Sequence, residues 1–571
     1  MDGKGKMSVK KKKTGYDVSR SGRPSDITAA VFVIYMLTVF ACWMHNKYFD
    51  ITGTRAEVFR EGAGFFFIIF VMAFFFEKSL AAYYDVKLPV LHRDEPLFAS
   101  PVLWMGLFTI ANLAAFFMAP GKKAAWTGQE GRQFGLYMIL MLFFMVLALT
   151  RGVRVPVWIF YIACLVAVAA VVMAVLQHFG HDVFHLRRDI KEGQQERFIS
   201  FFGNLNTYAS YLAMVIPFFW GVFALSDRKA LRIPAGFCLT ALALGVLPAK
   251  SDNIYIGLAA AGIFLLFISI RRGRILEWTG GAFLLSAGLF LMAVLNRKLK
   301  GSRKHLNGAA KLLENRKGMA ALFLLLAVLT VLFYLLKKRR KGVYDALSGK
   351  KTVMAAALLL VLLFTGGFLY LRHTGSDLVR WNDKWGTYRG YIWRRGFSLF
   401  RDAGPMQKLF GYGNETVRGF MHDRYYEEMT KITKQVYDNL HNELLQYLVT
   451  TGLFGMIAYL GWFITAMRML VRKGAVMLQS PAGDEAEIQR RDAGKKPAND
   501  AKKPLQKGAK KTPQKDAGAV CLALAAACAG YFAQGLVNLN QPITTPYFFF
   551  AAALGIGIIR GRENVEMDLE E

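Results

Sequence analysis

Residues 318–336 read GMAALFLLLAVLTVLFYLL, a stretch without a single charge, and basic residues follow at once from Lys337 to Lys341. A helix of about 20 apolar residues is long enough to cross the hydrocarbon core of a bilayer. Lys and Arg collect at the ends of such helices, chiefly on the cytoplasmic side. This segment therefore predicts a transmembrane helix, and the same pattern recurs along the chain.

Thirteen further apolar segments repeat the pattern, several of them short. Backbone polar groups inside lipid must find their partners within the same segment, so each span is predicted to be a helix. The predicted fold is an all-α, polytopic transmembrane helical bundle of about 12–14 spans. The thirteen segments are 27–45, 63–84, 97–119, 134–150, 155–176, 206–225, 233–249, 253–270, 276–295, 352–371, 444–470, 518–536 and 545–560.

The charge of the chain supports a membrane protein. Of the 571 residues, 54% are hydrophobic, yet the formal net charge is +32. Most of this excess, 25 charges, lies in four short segments: 1–24, 296–317, 337–351 and 471–517. Basic segments that flank apolar runs are typical of polytopic proteins held by anionic lipid. This distribution excludes a disordered chain and argues against a soluble nucleic-acid-binding protein.

The basic run Lys10–Lys13 predicts a cytoplasmic amino terminus, from which the sides of the other connections follow by alternation. Residues 372–443 then lie outside and hold both charge signs and several Trp and Tyr, which predicts one large folded extracytoplasmic loop. The predicted domains, in chain order, are a basic cytoplasmic tail (1–26), the transmembrane bundle (27–371), this loop (372–443), a span (444–470), a disordered basic cytoplasmic linker (471–517), the closing pair of spans (518–560) and a cytoplasmic tail (561–571).

The basic segment 296–317 does not fit this alternation, because it would also lie outside. Two interpretations stay open at this point. The helices around the segment could be partly re-entrant, which would reduce the number of spans to twelve. Alternatively, the segment is an external cationic surface that faces lipid phosphates.

Three side chains in the external segments are candidates for chemistry. A neutral imidazole can accept a proton from a hydroxyl, which makes His441 a candidate general base. The alternative is an interfacial His that only caps a helix. Arg197 and Arg389 could bind a phosphate or pyrophosphate through bidentate hydrogen bonds, since guanidinium never deprotonates. For either arginine the alternative is a snorkelling side chain at the bilayer surface.

Several motifs are absent from the sequence. It has no DxD-type pair in an obvious soluble domain, no Cys/His cluster with zinc spacing, and no Rossmann or kinase motif. We therefore expect no metal and no cofactor. Charged residues within the predicted spans are scarce, which argues against an ion-coupled transporter.

Five segments, taken in order, resemble the O-antigen ligase and O-antigen polymerase superfamily of membrane glycan transferases. No segment is decisive alone, but the ordered set is fairly specific and covers roughly 120–270 and 385–560. The segments are GQEGRQFGL (128–136), RFISFFGNLNTYASYLAMVIPF (197–218), RGYIWRRGFSLF with LFGYG (389–413), LHNELLQYLVTTGLFG (440–455) and YFAQGLVNLNQPITTPYFFFAAALGIG (531–557).

The resemblance implies a GT-C-like fold and a metal-independent, inverting glycan transfer from a polyprenyl (undecaprenyl) pyrophosphate donor. In that reaction His441 would activate the acceptor hydroxyl, while Arg197 and Arg389 would bind the pyrophosphate. Many members carry Ser-Arg where this chain has Ser251–Asp252, so Lys250 could supply the cation instead. The residues expected to support the site are Arg132, Asn204, Asn206, Lys250, Tyr412, Asn442 and Glu443.

The resemblance places the protein in the bacterial cytoplasmic (inner) membrane, with its active site on the extracytoplasmic face. The acceptor would be a glycan, lipid or protein, as in lipopolysaccharide and other cell-surface polysaccharide biosynthesis; membrane lipids are the other expected partners, and nucleic acid is not. Ligase and polymerase remain alternatives within the superfamily. A lipid-linked glycan transporter is the alternative from another class, and it predicts paired repeats or helices broken in mid-membrane. A structural membrane scaffold is a third possibility.

Overall fold

The computed structural model describes residues 23–84, 96–299, 310–376, 379–479 and 513–570. The described chain is helical apart from one two-stranded antiparallel pair, β1 (Phe198–Ile199) and β2 (Gly203–Asn204). Its α-helices are α1 (Pro24–Leu37), α2 (Val39–Cys42), α3 (Ile51–Tyr84), α4 (Pro101–Met118), α5 (Lys122–Thr127), α6 (Leu136–Leu149), α7 (Ile159–His178), α8 (Leu205–Leu225), α9 (Lys229–Leu244), α10 (Asn253–Arg271), α11 (Ile275–Lys298), α12 (Ala310–Leu313), α13 (Arg316–Arg339), α14 (Lys341–Ala346), α15 (Lys350–His373), α16 (Trp385–Arg401), α17 (Pro405–Phe410), α18 (Val417–Thr433), α19 (Glu443–Thr450), α20 (Gly452–Gln479), α21 (Pro513–Gly535) and α22 (Thr545–Glu570).

The prediction of an all-α polytopic membrane protein is confirmed. Each of the fourteen predicted apolar segments is largely helical, although 27–45 is divided between α1 and α2 and 444–470 between α19 and α20. Eleven helices in the described residues are long and apolar enough to cross a membrane. The three that fall short are the 14-residue helix α6, the 16-residue helix α9 and the closing helix α22. Among the described residues, eleven helices thus qualify as spans by length and composition alone, a count that leaves out α6, α9 and α22.

The helices are buried to very different degrees. Helices α8 and α21 lie at the centre, where most of their residues are inaccessible to solvent. Helices α13 and α15, in contrast, have no buried residue and expose long rows of Leu, Val and Phe. Apolar side chains gain nothing by leaving lipid for protein, so an apolar helix with no buried residue is stable at the edge of a membrane bundle.

The connections between helices gather at two ends of the bundle. At one end Ser251 Oγ donates to Asn206 Oδ1 (2.6 Å) and Tyr48 Oη to the Ser200 carbonyl (2.6 Å). At the other end the Arg154 amide donates to Asp26 Oδ1 (2.8 Å). We call the first the loop end, formed by 119–135, 178–204, 245–252, 379–442 and 536–544. We call the second the tail end, formed by 23–26, 150–158, 226–228, 272–276 and 513–516.

The structure decides between the two interpretations of segment 296–317. Helices α11 and α13 are both full-length and antiparallel: Lys337 Nζ meets Glu277 Oε1 at 2.8 Å, while at their other ends Asn296 Nδ2 donates to Glu314 Oε1 at 3.1 Å. The re-entrant interpretation is therefore wrong. Asn296 Oδ1 also lies 2.7 Å from His178 Nε2, so the described part of the segment lies at the loop end. Residues 300–309 of it lie outside the described residues.

Some predicted boundaries differ from the structure. Helix α20 continues to Gln479 and α21 begins at Pro513, so the predicted disordered linker 471–517 is helical at both ends. Its middle, 480–512, lies outside the described residues, as does 1–22 of the predicted amino-terminal tail. Helix α1 begins at Pro24, a residue type favoured in the first turn of a helix, and α22 runs on to Glu570 through the predicted carboxy-terminal tail.

The predicted loop 372–443 contains helices α16, α17 and α18 and a small core of its own. This core packs the loop against α19, which opens the next span, and we call it the loop-domain core. Its buried members are Tyr391, Ile392, Trp393, Leu399, Val417, Met421, Met429, Leu440, Leu445 and Val449.

Two glycines join the loop domain to the membrane bundle. The amides of Tyr412 and Gly413 donate to the carbonyls of Val449 (3.0 Å) and Thr450 (2.9 Å), the last two residues of α19. Gly411 has φ 78°, and a β-carbon there would overlap the Thr450 backbone. Gly452, with φ 69°, meets the Leu409 carbonyl in the same way. Only glycine tolerates both the left-handed backbone and this close approach.

We predict that Gly411→Ala lowers the free energy of unfolding by about 2 kcal/mol or more, because an L-residue in a left-handed conformation and the overlap with Thr450 both cost energy. Thermal unfolding of the purified protein in detergent measures the change. Gly419→Ala is the matched control: a β-carbon at Gly419 meets nothing within 4 Å, so this variant should be neutral or slightly more stable. Equal unfolding temperatures for the two variants would contradict the prediction.

Candidate functional site

His441 is held at the loop end by the polar residues on either side of it. Its backbone is left-handed (φ 49°), and its amide donates to Asn439 Oδ1 at 2.8 Å. Asn442 caps α19, because its Oδ1 accepts from the Leu445 amide at 2.9 Å. Asparagine is well suited to both tasks, since its short side chain bonds to nearby backbone amides. The sequence Asn-Leu-His-Asn thus presents the imidazole at the turn before a helix.

A charged pair stands beside this imidazole. Arg132, between α5 and α6, donates from Nε to Asp438 Oδ2 (3.1 Å) and from Nη2 to Oδ1 (2.5 Å). Two parallel bonds of this kind fix the orientation of both groups. The same inter-helix segment makes a second contact with the loop domain, where Gln129 Nε2 donates to the Glu415 carbonyl at 2.7 Å.

Arg389 reaches the site from the start of α16. Residues 386–388 before it have left-handed backbones, so the regular part of α16 begins at about Arg389. Its Nε donates to the Val537 carbonyl at 2.8 Å and its Nη1 to the Gly386 carbonyl at 2.7 Å. The guanidinium is thereby held between the loop domain and the connection of α21 to α22.

The pKa values of the ionisable groups in the site depend on burial and on one another's charges. Burial lowers the pKa of His441 to about 3, the positive charges of Arg389 and Arg132 add to this, and Asp438 opposes it. Burial raises the pKa of Asp438, but the Arg132 guanidinium outweighs it and the net pKa lies below the usual value. Burial raises the pKa of Glu415 to about 7, and Arg132 opposes this. His441 is therefore neutral at pH 7, and its Nδ1 has no hydrogen-bond partner among the described residues.

A second polar cluster lies behind Arg389 and joins α8, α10 and α21. Asn253 Nδ2 donates to Gln534 Oε1 (3.2 Å), as does Asn538 Nδ2 (2.9 Å). Ser210 Oγ bonds to the same oxygen at 3.1 Å, and Ser251 Oγ bonds to Asn206 and Asn253. These bonds hold the Val537 carbonyl and the starts of two spanning helices in one arrangement. Asp252, next to them, acts electrostatically on Arg389.

The supporting residues predicted from the sequence fall into two groups. Arg132 belongs to the His441 surroundings, and Asn206 belongs to the polar cluster behind Arg389. Asn204 caps α8, since its Oδ1 accepts from the Asn206 amide at 2.8 Å. Tyr412, in contrast, packs on Phe420 in the loop domain and donates to the Leu399 carbonyl, so its position is structural.

The other two predicted cations, Lys250 and Arg197, lie beside Glu196. Lys250 Nζ, with a side chain only 4% exposed, pairs with Glu196 at 3.4 Å. Arg197 is the last residue of a short 3-10 helix (Glu192–Arg197), and its side chain is exposed. Glu443 is buried beneath His441, where it accepts from Tyr447 Oη at 3.4 Å and packs against Gly535.

Sequence analysis missed several residues of the site. Asp438 could have been identified from the sequence, because an acidic side chain three positions before a candidate base can reach the groups around that base. Gln534 and Asn538 have no sequence signal that separates them from helix-end caps, and Val537 contributes only a carbonyl. Among the described residues, no group of three or more His, Cys, Asp and Glu side chains is arranged to hold a metal ion.

One family model matches part of the chain. Residues 306–460, a little over a quarter of the chain, match the family model described as O-Antigen ligase. The matched range contains Arg389, Asp438 and His441, but not Arg132 or Arg197. No curated protein matches the chain.

That the matched range includes His441 and the loop domain agrees with the resemblance seen in the sequence. The family implies lipid-linked glycan donors and glycan acceptors in membranes, and the apolar helices identify a multi-pass membrane protein. Together they support membership of the chain in the O-antigen ligase superfamily, as a ligase-like membrane glycan transferase.

Proposed function

We propose that this protein transfers a glycan from a polyprenyl (undecaprenyl) pyrophosphate donor to an acceptor hydroxyl, with inversion at the anomeric carbon and without a metal. The observation that carries the proposal is a neutral His441 imidazole beside the guanidinium groups of Arg389 and Arg132, at the end of the bundle where the loop domain lies. A base for a hydroxyl and cations for a leaving pyrophosphate are the two requirements of this reaction.

The proposed step balances as follows. His441 accepts the proton of the acceptor hydroxyl while the hydroxyl oxygen attacks the anomeric carbon from the face opposite the pyrophosphate. The bond from that carbon to the pyrophosphate oxygen breaks, and its electron pair leaves with the polyprenyl pyrophosphate. Arg389 and Arg197 offset the developing negative charge, and the imidazolium then releases its proton to water.

The low pKa of His441 has a consequence for this mechanism. A base whose pKa is about 3 is neutral but weak, because protonation must compete with two nearby guanidinium groups. A pyrophosphate bound by Arg389 would offset part of this positive charge and raise the pKa of the imidazole. We therefore infer that donor binding strengthens the base, so that acceptor activation waits until the donor is in place.

We assign the loop end to the extracytoplasmic face of the bacterial cytoplasmic (inner) membrane. The supporting observation is the excess of Lys and Arg at the tail end, in segments 226–232, 271–274 and 337–341. Lipid-linked donors and surface glycans, lipids or proteins as acceptors would meet at that face.

The first prediction concerns the base. His441→Ala should reduce glycan transfer roughly 10²- to 10⁴-fold, the usual contribution of a general base, with little change in expression. Surface glycan in a deletion strain carrying the variant measures it. Loss of attachment with accumulated lipid-linked donor identifies a ligase, whereas shortened chains with single units still attached identify a polymerase.

His422→Ala is the matched control, because His422 is an exposed histidine of the same loop domain. It should leave surface glycan at the wild-type level. Unchanged glycan in a well-expressed His441→Ala variant would overturn the enzymatic proposal and favour a transporter or a membrane scaffold.

The second prediction concerns the donor. Arg389→Ala should weaken binding of a synthetic polyprenyl-pyrophosphate-linked sugar roughly 10- to 100-fold, since a hydrogen bond to a charged group contributes about 1.5–3 kcal/mol. Arg197→Ala should weaken it as well. Arg394→Ala, which removes an exposed arginine of α16 paired with Asp383, is the control and should bind normally. Wild-type affinity in both test variants would remove the proposed pyrophosphate site.

The third prediction concerns pH. A proton on His441 abolishes the base, so activity is lost on the acid side of its pKa. In the free protein this pKa is about 3, and kcat/KM for the donor should therefore show no acid limb from His441 between pH 5 and 8. In the donor complex the pKa is raised, so kcat should begin to fall at a higher pH than kcat/KM does.

Glu415→Gln is the control for this experiment, because the pKa of the Glu415 carboxyl, about 7, could produce an acid limb of its own. The difference between the two profiles should persist in that variant. Coincident acid limbs for kcat and kcat/KM in the Glu415→Gln protein would refute the coupling of donor binding to the base.

A further inference from the structure

A long cavity lies between the helices of the bundle, and neither His441 nor Arg389 lines it. It has a volume of about 410 Å³ and lies between α1, α7, α8, α21 and α22. Pockets that bind small molecules have volumes of roughly 300–1,000 Å³, so the cavity is large enough for a ligand. Nothing in the proposed transfer reaction uses it.

The walls of the cavity are apolar and run along the helices. On α22 they extend from Tyr547 to Arg562, roughly 22 Å at 1.5 Å per residue, which is most of the ~30 Å hydrocarbon core. Val33 and Leu37 of α1 and Phe218 of α8 line the same space. A narrow apolar cavity that follows the helix axes has the shape of an extended hydrocarbon chain.

The tail end of the cavity is charged. Three guanidinium groups line it, those of Arg154, Arg228 and Arg562, against one carboxylate, that of Asp516. Arg228 Nη1 lies 3.8 Å from Asp516 Oδ2, and Ser226 Oγ donates to Asp516 Oδ1 at 3.0 Å. The lining therefore keeps a formal charge of +2 where the apolar walls end.

We propose that this cavity binds an anionic glycerophospholipid, with the phosphate among Arg154, Arg228 and Arg562 and one acyl chain along the apolar walls. Guanidinium binds phosphate through paired hydrogen bonds, and it does so best where water is scarce. An apolar chain and an anionic head belong to the same molecule in such a lipid, which matches the order of groups along the cavity. The basic segments at the tail end place it at the leaflet in which anionic lipid attracts Lys and Arg.

Two other occupants are less complementary to the charge. Segments 1–22 and 480–512 adjoin the tail end in sequence, and both carry more basic than acidic residues, so the arginines would repel them. The pyrophosphate donor of the proposed reaction would bind at the loop end, where His441 and Arg389 lie. The lipid site is thus separate from the proposed transfer site and does not depend on it.

Lipid retention on the purified full-length protein tests the proposal. The protein is reconstituted with equal amounts of dioleoylphosphatidylglycerol and dioleoylphosphatidylcholine, and the lipid that remains bound is measured by native mass spectrometry. We expect phosphatidylglycerol to be retained in preference. The double variant Arg228→Gln/Arg562→Gln should lower that preference roughly 30-fold, as expected for the loss of two arginines near an anionic headgroup.

The double variant Arg468→Gln/Arg472→Gln is the matched control, because both arginines are exposed on α20 and do not line the cavity. It should retain the wild-type preference. Ala163→Trp tests the apolar part separately: the larger side chain fills the cavity and should displace the bound lipid while all arginines remain. Equal retention of the two lipids by the wild type would overturn the proposal, and so would equal losses in the test and control double variants.

Discussion

Hydrocarbon offers no hydrogen-bond partner to a peptide group, and the architecture of this protein depends on that constraint. Each spanning segment must satisfy its own backbone, so the membrane part is built from helices alone. Irregular backbone is confined to the ends of the bundle. Left-handed residues such as Lys250, Thr387 and His441 all occur at the loop end, where connections can bond to one another and to water. The polar chemistry of the molecule is thereby concentrated in one place.

Within that place, the balance of charge decides what each group can do. His441 is kept neutral because burial and two guanidinium groups both oppose its protonation. The negative charge of Asp438 opposes the effect of the two guanidinium groups on the pKa of His441. The bonds between Asp438 and Arg132 also hold the connection between α5 and α6 against the turn before α19. The site thus combines the positive charge of the guanidinium groups with a neutral proton acceptor, His441. The proposed donor supplies the missing negative charge.

The two ends of the bundle place their cations in different surroundings. At the loop end, the cations accompany a base and polar side chains contributed by α8, α10 and α21. At the tail end, the guanidinium groups of Arg154, Arg228 and Arg562 accompany an apolar cavity and no histidine in its lining. The first arrangement suits a reacting group, the second a lipid that stays bound. The roles proposed for similar residues thus differ because their surroundings differ.

Much of the molecule follows from the sequence by itself. The apolar segments predicted the membrane helices, because a hydrophobic segment of that length has one stable conformation in lipid. The order of motifs indicated the superfamily and singled out Arg389 and His441. Only the tertiary structure brought Arg132, Asp438 and His441 together, since they come from distant parts of the chain and no local pattern encodes their pairing. The tertiary structure also decided the course of α11 and α13 and formed the cavity lined by Arg154, Arg228 and Arg562. Packing between helices, unlike the formation of a helix, is not a local property of the chain.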